Sequence, residues 1–143
     1  MNGKSVNSFV IDGRTYMIAH ADFPIPKDDI DYACANSFYW ADAKNTLQQQ
    51  KAHLIVFVHG KFDSPAEEGM ALSRAIAACT ECYDSLAVYW GHANIVHKPE
   101  TIRKLVKNAG TDMGKLPVPA WIGFLRTKGK DAGLDVYTRE TLI

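Results

Sequence analysis

His53-Leu54-Ile55-Val56-Phe57-Val58-His59 is apolar at every position between its two histidines. Such a run suits a strand covered on both faces, as at the centre of a parallel sheet. Ser64-Pro65-Ala66-Glu67 follows, with an N-cap serine, proline at the first helical position and glutamate at the third, two helix-start signals superimposed. Leu72, Ala75, Ile76 and Cys79 then recur at helical spacing and form one apolar stripe that would lay the helix on a sheet. Leu86-Ala87-Val88-Tyr89-Trp90 is a second continuous strand, so residues 53–90 read as a β-α-β unit with a right-handed crossover.

Working outward, Ser8–Ile11 and Thr15–Ala19 are rich in β-branched and aromatic residues, and Asp12-Gly13 between them supplies a tight hairpin turn. Pro24 and Pro26 break the extended pattern, and Pro26-Lys27-Asp28-Asp29 starts a helix with acidic residues in its first turn. Trp40, Ala43 and Leu47 predict a short second helix within 40–50. Pro99-Glu100 opens another, with a stripe of Ile102, Leu105, Val106 and Ala109 and with Gly110 placed to end it. Strands near Ala120–Arg126 and Leu134–Thr138 close the chain, the last as an edge. The order β-β-α-α-β-α-β-α-β-β predicts an α/β (α+β) fold in which a mixed sheet holds a central parallel β-α-β unit, flanked by hairpins and packed helices. One domain is expected over residues 1–143.

The chain of 143 residues is long enough to bury about 70% of its unfolded surface in one core. Its 47% apolar and 22% charged residues are close to the globular average and suggest neither disorder nor a fibrous class. Lys plus Arg balances Asp plus Glu at 16 each, and only Arg103, Lys104 and Lys107 cluster, so no footprint for nucleic acid is expected. No apolar run approaches the roughly 20 residues of a membrane span, and the first residues lack the pattern of a secretory signal. Three cysteines, Cys34, Cys79 and Cys82, cannot close a disulfide framework. Free thiols in the cytoplasm are expected.

Trp40-Ala41-Asp42-Ala43, Lys51-Ala52-His53-Leu54-Ile55-Val56, Ala87-Val88-Tyr89-Trp90-Gly91 and Tyr137-Thr138 together resemble the bacterial family called domain of unknown function 4261. The resemblance spans most of the chain. It implies a cytoplasmic bacterial α/β domain without an established activity, in the company of toxin-immunity loci, and it supplies no catalytic residues. The family continues past Tyr-Thr with a Gly- and Phe-containing tail, whereas Arg139-Glu140-Thr141-Leu142-Ile143 follow here.

Ligands of parallel sheets bind at strand carboxyl ends, which here are His59-Gly60-Lys61 and Tyr89-Trp90-Gly91-His92. If the two strands are neighbours, His59, Lys61, Tyr89, Trp90 and His92 converge, with imidazoles able to exchange protons and a lysine able to hold an anion. Against this, Trp90 has the makings of a core plug. His59-Gly60-Lys61-Phe62 lacks the spacing of a phosphate-binding loop. Cys79-Thr80-Glu81-Cys82 lies at a helix end, where a redox dithiol lacks the dipole that activates it, and no second pair completes a zinc site. Asp28, Asp29 and Asp31 read as solvated dipole partners, His53 as a strand cap, and His20 and His97 have no partners at useful spacing. No catalytic residue, metal or cofactor is assigned.

Two functions compete on this basis. The first is a non-enzymatic protein-binding or regulatory module, of the immunity type that neutralises a bacterial toxin or effector by contact, with Phe38, Tyr39 and Phe62 as exposed anchors. The alternative is a small enzyme or ligand-binding protein with a strand-end cleft of His59, Lys61, Tyr89 and His92. A homodimer through the terminal edge strand is a further expectation for the chain's partners.

Overall fold

The computed structural model describes residues 5–112, 114–128 and 134–139. Strands β1 (Ser5–Ile11) and β2 (Arg14–Ala21) form an antiparallel hairpin with an unbroken register from Ser5↔His20 to Ile11↔Arg14. Its two-residue turn holds Asp12 and Gly13 at φ of 50° and 73°, the left-handed pair that matches strand twist. Two helices follow, α1 (Lys27–Asn36) and α2 (Ala43–Leu47). The first starts after Pro26 with Asp28 and Asp29 in its first turn, as the sequence suggests. Asp31 pairs with both Lys27 and Lys44, which ties the two helices together.

Strand β3 (His53–His59) occupies the span predicted for it, but its neighbour is different. It pairs antiparallel with β2, from Thr15↔His59 to Ala21↔His53, giving a sheet of order β1-β2-β3. Helix α3 (Pro65–Cys82) then crosses back over that sheet. Ser64 caps it by accepting the Glu67 N–H at 3.2 Å. Arg14 reaches from the hairpin turn to pair with Glu67 and lies 4.4 Å from the centre of the Phe62 ring.

Strand β4 (Val88–Trp90) pairs with β5 (Ile95–His97) through the tight Gly91–Asn94 turn, in which Asn94 has a φ of 50°. Helices α4 (Pro99–Ala109) and α5 (Val118–Trp121) lead to a last antiparallel pair, β6 (Gly123–Lys128) and β7 (Leu134–Arg139). Gly110 ends α4 at a φ of 55°, its N–H donating to Val106 O.

The fold is a mixed α+β structure, as expected, but its described strand pairings are all antiparallel. The expected central parallel β-α-β unit is therefore corrected: β3 and β4 lie in different sheets. The physical reason lies in what covers β3. Helix α3 covers one face of its sheet while the other stays open, so Leu54, Val56 and Val58 are partly buried and Ile55 and Phe57 exposed. An apolar run permits burial on both faces without requiring it.

The core lies on the far side of α3. Ile30, Ala33, Trp40, Ala43, Leu47 and Val96 join α1 and α2 to β5. Ala77, Val88, Ile102 and Ala120 join α3 to β4, α4 and α5. Helix α3 is thus packed on two sides, which explains why Met70, Ala71, Ser73 and Ala77 are buried although they fall outside the stripe Leu72-Ala75-Ile76-Cys79. Among the described residues no helix is long and apolar enough to cross a membrane.

Candidate functional site

The five residues expected at a strand-end site divide between two elements, His59 and Lys61 at and just after the end of β3, and Tyr89, Trp90 and His92 in the β4–β5 hairpin of a different sheet. His59 ends β3 opposite Thr15 and is exposed, and the neighbouring Lys61 is exposed with its carbonyl accepting from Arg14 Nε at 3.4 Å. Tyr89 donates its hydroxyl to Asn94 Oδ1 at 3.1 Å within its own hairpin, and His92 is exposed in that hairpin's turn. Trp90 is buried with Ala93 and Ile95 against Leu72, Ile76 and Trp121. The facing of two parallel strand ends, on which a shared site depended, is not among the described pairings. None of the five lines either of the two cavities described next.

The more apolar cavity opens between the hairpin and α3 and has a volume of about 440 Å³. Its floor comes from one face of the three-stranded sheet. Phe9, Ile11, Tyr16, Ile18 and Val56 share that face because strand side chains alternate and the register sets Phe9 beside Tyr16 and Ile18 beside Val56. Phe9 and Tyr16 stack with ring centroids 5.6 Å apart. Its wall is the flank of α3 carrying Ala71, Ala75, Ala78, Cys79 and Cys82, which recur along one side of the helix. Alanine side chains are too short to reach the floor, so a gap remains. Arg74 and Tyr83 complete the lining, Arg74 as the only charged member among the described residues.

The electrostatics of this cleft are simple. Arg74 Nη2 donates to Gly110 O at 2.7 Å and, among the described residues, the guanidinium pairs with no carboxylate. Burial pushes the Cys79 thiol up, with Cys82 adding to it, so this cysteine is a poorer nucleophile than a free one. The Cys79–Cys82 pair is wall material here. All three cysteines are free thiols.

The second cavity, about 470 Å³, is a shallow and more polar depression beside Tyr39, Trp40, Asp42, Lys98 and Glu100. Below it lies a residue that sequence reading left without partners. His97 is 3% exposed, its ring stacked on Tyr39 with centroids 5.4 Å apart. Its Nε2 faces Ala120 O at 3.3 Å, so Nε2 carries the proton, and its Nδ1 lies 3.1 Å from the Tyr39 hydroxyl. The one proton of that hydroxyl is within reach of both Nδ1 and Val96 O, the latter at 2.8 Å. Burial holds the imidazole down to about 4 against the opposing pull of the Ala120 carbonyl, and raises the Tyr39 phenol. Tyr39 and His97 are 58 residues apart, so no local spacing could have joined them.

Other sequence candidates resolve into structural contacts. His53 donates Nδ1–H to Phe23 O at 2.8 Å, the strand-capping role expected of it. Phe38 and Tyr39 are exposed, whereas Phe62 is partly covered, with Arg14 over its ring. Arg103 donates to Thr80 O at 3.1 Å, bridging α4 to α3, while Lys104 and Lys107 are exposed. Among the described residues no three His, Cys, Asp or Glu side chains are grouped to hold a metal.

Compared with protein-family models, curated proteins and solved structures, the chain matches none.

Proposed function

We propose that the chain is a protein-binding module that takes the apolar face of a partner helix into the cleft between β1–β2 and α3. The single observation that carries this is the cleft itself, an apolar floor beside an alanine-lined helix flank with one cation at its edge. Small residues let a second helix approach α3 closely, and apolar helix faces docked in grooves are a recurrent mode of recognition. Arg74 favours a partner with a carboxylate beside its apolar stripe. Phe9, Ile11 and Tyr83 remain exposed at the cleft and supply the aromatic and aliphatic surface that binding would bury. Phe38 and Tyr39 offer a second exposed aromatic pair. The resemblance to the family of unknown function adds the kind of partner: a bacterial toxin or effector met in the cytoplasm and neutralised by contact.

The test is to fill the cleft. Ala78 is exposed on the α3 flank, so Ala78→Trp should leave the fold intact by circular dichroism while occupying the gap. Tagged wild-type protein used as bait in lysate of its source should retain one dominant protein, and the variant at least about tenfold less of it, the loss expected when a binding anchor's pocket is closed. Equal retention by both would overturn the cleft as the binding site. No retained protein, with a small molecule in native mass spectra of the wild type alone, would replace a partner helix with an apolar ligand, since the volume also suits one.

A further inference from the structure

Strand β1 lies at one edge of its sheet and reads Ser-Val-Asn-Ser-Phe-Val-Ile, seven residues without a charge, a proline or a bulge. Natural sheets guard such edges with lysines, prolines or short strands, because a bare edge is a template for another strand. The hairpin turn determines which groups the edge presents. A two-residue turn closes on a hydrogen-bonded pair, here Ile11 with Arg14, and such pairs alternate along an antiparallel ladder. Ile11, Phe9, Asn7 and Ser5 therefore direct their N–H and C=O groups to β2. Those of Val6, Ser8 and Val10 point away from the sheet, and no partner for them is found among the described residues.

We propose that two copies of the chain pair antiparallel through β1, about a two-fold axis at Ser8, to make one continuous six-stranded sheet. The strand is complementary to itself in this register. Ser8 meets Ser8 of the second copy, and Val6 meets Val10 in both directions, so the three residues with free backbone groups form the hydrogen-bonded pairs that the ladder requires. Val6 and Val10 carry their side chains on the open face, where they are 62% and 67% exposed, and pairing sets each β-branched side chain against the other. With no charge on β1, no like charges meet across the axis. Pairing uses the outer backbone edge of β1, whereas the cleft uses the side chains of Phe9 and Ile11 on one face of that strand.

Edge pairing buries less than an obligate interface, so the dimer should dissociate on dilution. Sedimentation equilibrium over a concentration series reaching about 1 mM is expected to show reversible monomer and dimer. Val6→Lys combined with Val10→Lys sets lysine opposite lysine at both positions and should weaken the dimer at least about tenfold, with salt partly restoring it. Val6→Lys combined with Val10→Glu sets lysine opposite glutamate in this register alone. That variant should dimerise more tightly than the double lysine, and salt should weaken it. Both positions are exposed, so circular dichroism should show an unchanged fold. A monomer at every concentration would overturn the proposal, and so would equal dimerisation of the two double variants.

Discussion

Replacing Trp90 with alanine is expected to destabilise the protein by about 3–5 kcal/mol, the range for removing a large aromatic from a packed core. Trp90 is buried with Ala93 and Ile95, and Leu72, Ile76 and Trp121 close around it. Trp121 is itself fixed, its Nε1–H donating to Ser73 Oγ at 2.8 Å, so the surroundings have little freedom to collapse into the cavity. Against a total stability of about 5–15 kcal/mol, such a loss is a large fraction of the whole. Urea denaturation of wild type and variant measures it. A loss below about 1 kcal/mol would place Trp90 at a surface and reopen its role in a strand-end site.

The second large effect is on acid stability. The folded state holds the His97 imidazole down to about 4, from an ordinary value of 6.5, because burial disfavours its charged form. Between those values the unfolded chain binds the proton and the folded chain does not, so stability falls as pH drops from about 6.5 to about 4. At 1.36 kcal/mol per pKa unit, the full loss is about 3 kcal/mol. The groups facing the ring are the Tyr39 hydroxyl and the Ala120 carbonyl, neither of which supplies a countercharge. Asp31 and Glu67, whose carboxyls are held below their usual range by Lys27 and by the Asp63 N–H respectively, add their own losses as pH falls below their ordinary values of 3.8 and 4.5. Denaturation at pH 7, 5.5 and 4 should therefore show a slope that His97→Gln removes. A slope unchanged in the variant would assign the effect to other groups.

Local chemistry was legible in the sequence wherever the determinant sits within a few residues. Asp12-Gly13 specified the hairpin turn, Ser64-Pro65 the start of α3 and Gly110 the end of α4, and His53–His59 has the bounds read from its apolar run. Pairing was not legible, because nothing in an apolar run names its neighbour. Joining β3 to β4 followed from their order along the chain, whereas β3 lies on the hairpin before it and β4 on the short β5 after it. Strand β5 lies outside the expectation from sequence, which ends the strand at Trp90 and takes Tyr89-Trp90-Gly91-His92 as the mouth of a site. The cleft is a gap left by the hairpin, β3 and α3 together, and no periodicity marks an absence. Its alanines could be seen along α3, but only the sheet beneath them gives them meaning.

None of the seven β1 side chains is buried. The strand therefore draws almost nothing from the core and is held by its ladder to β2, so its local opening costs little beside that of the buried helices. Its backbone amides should exchange with solvent through brief detachments of this one strand, long before the helices around Trp90 and Ile102 open. Stability in this protein is graded across the sheet, and the side by which it would meet another molecule is also the side that can come loose and re-form while everything behind α3 stays folded.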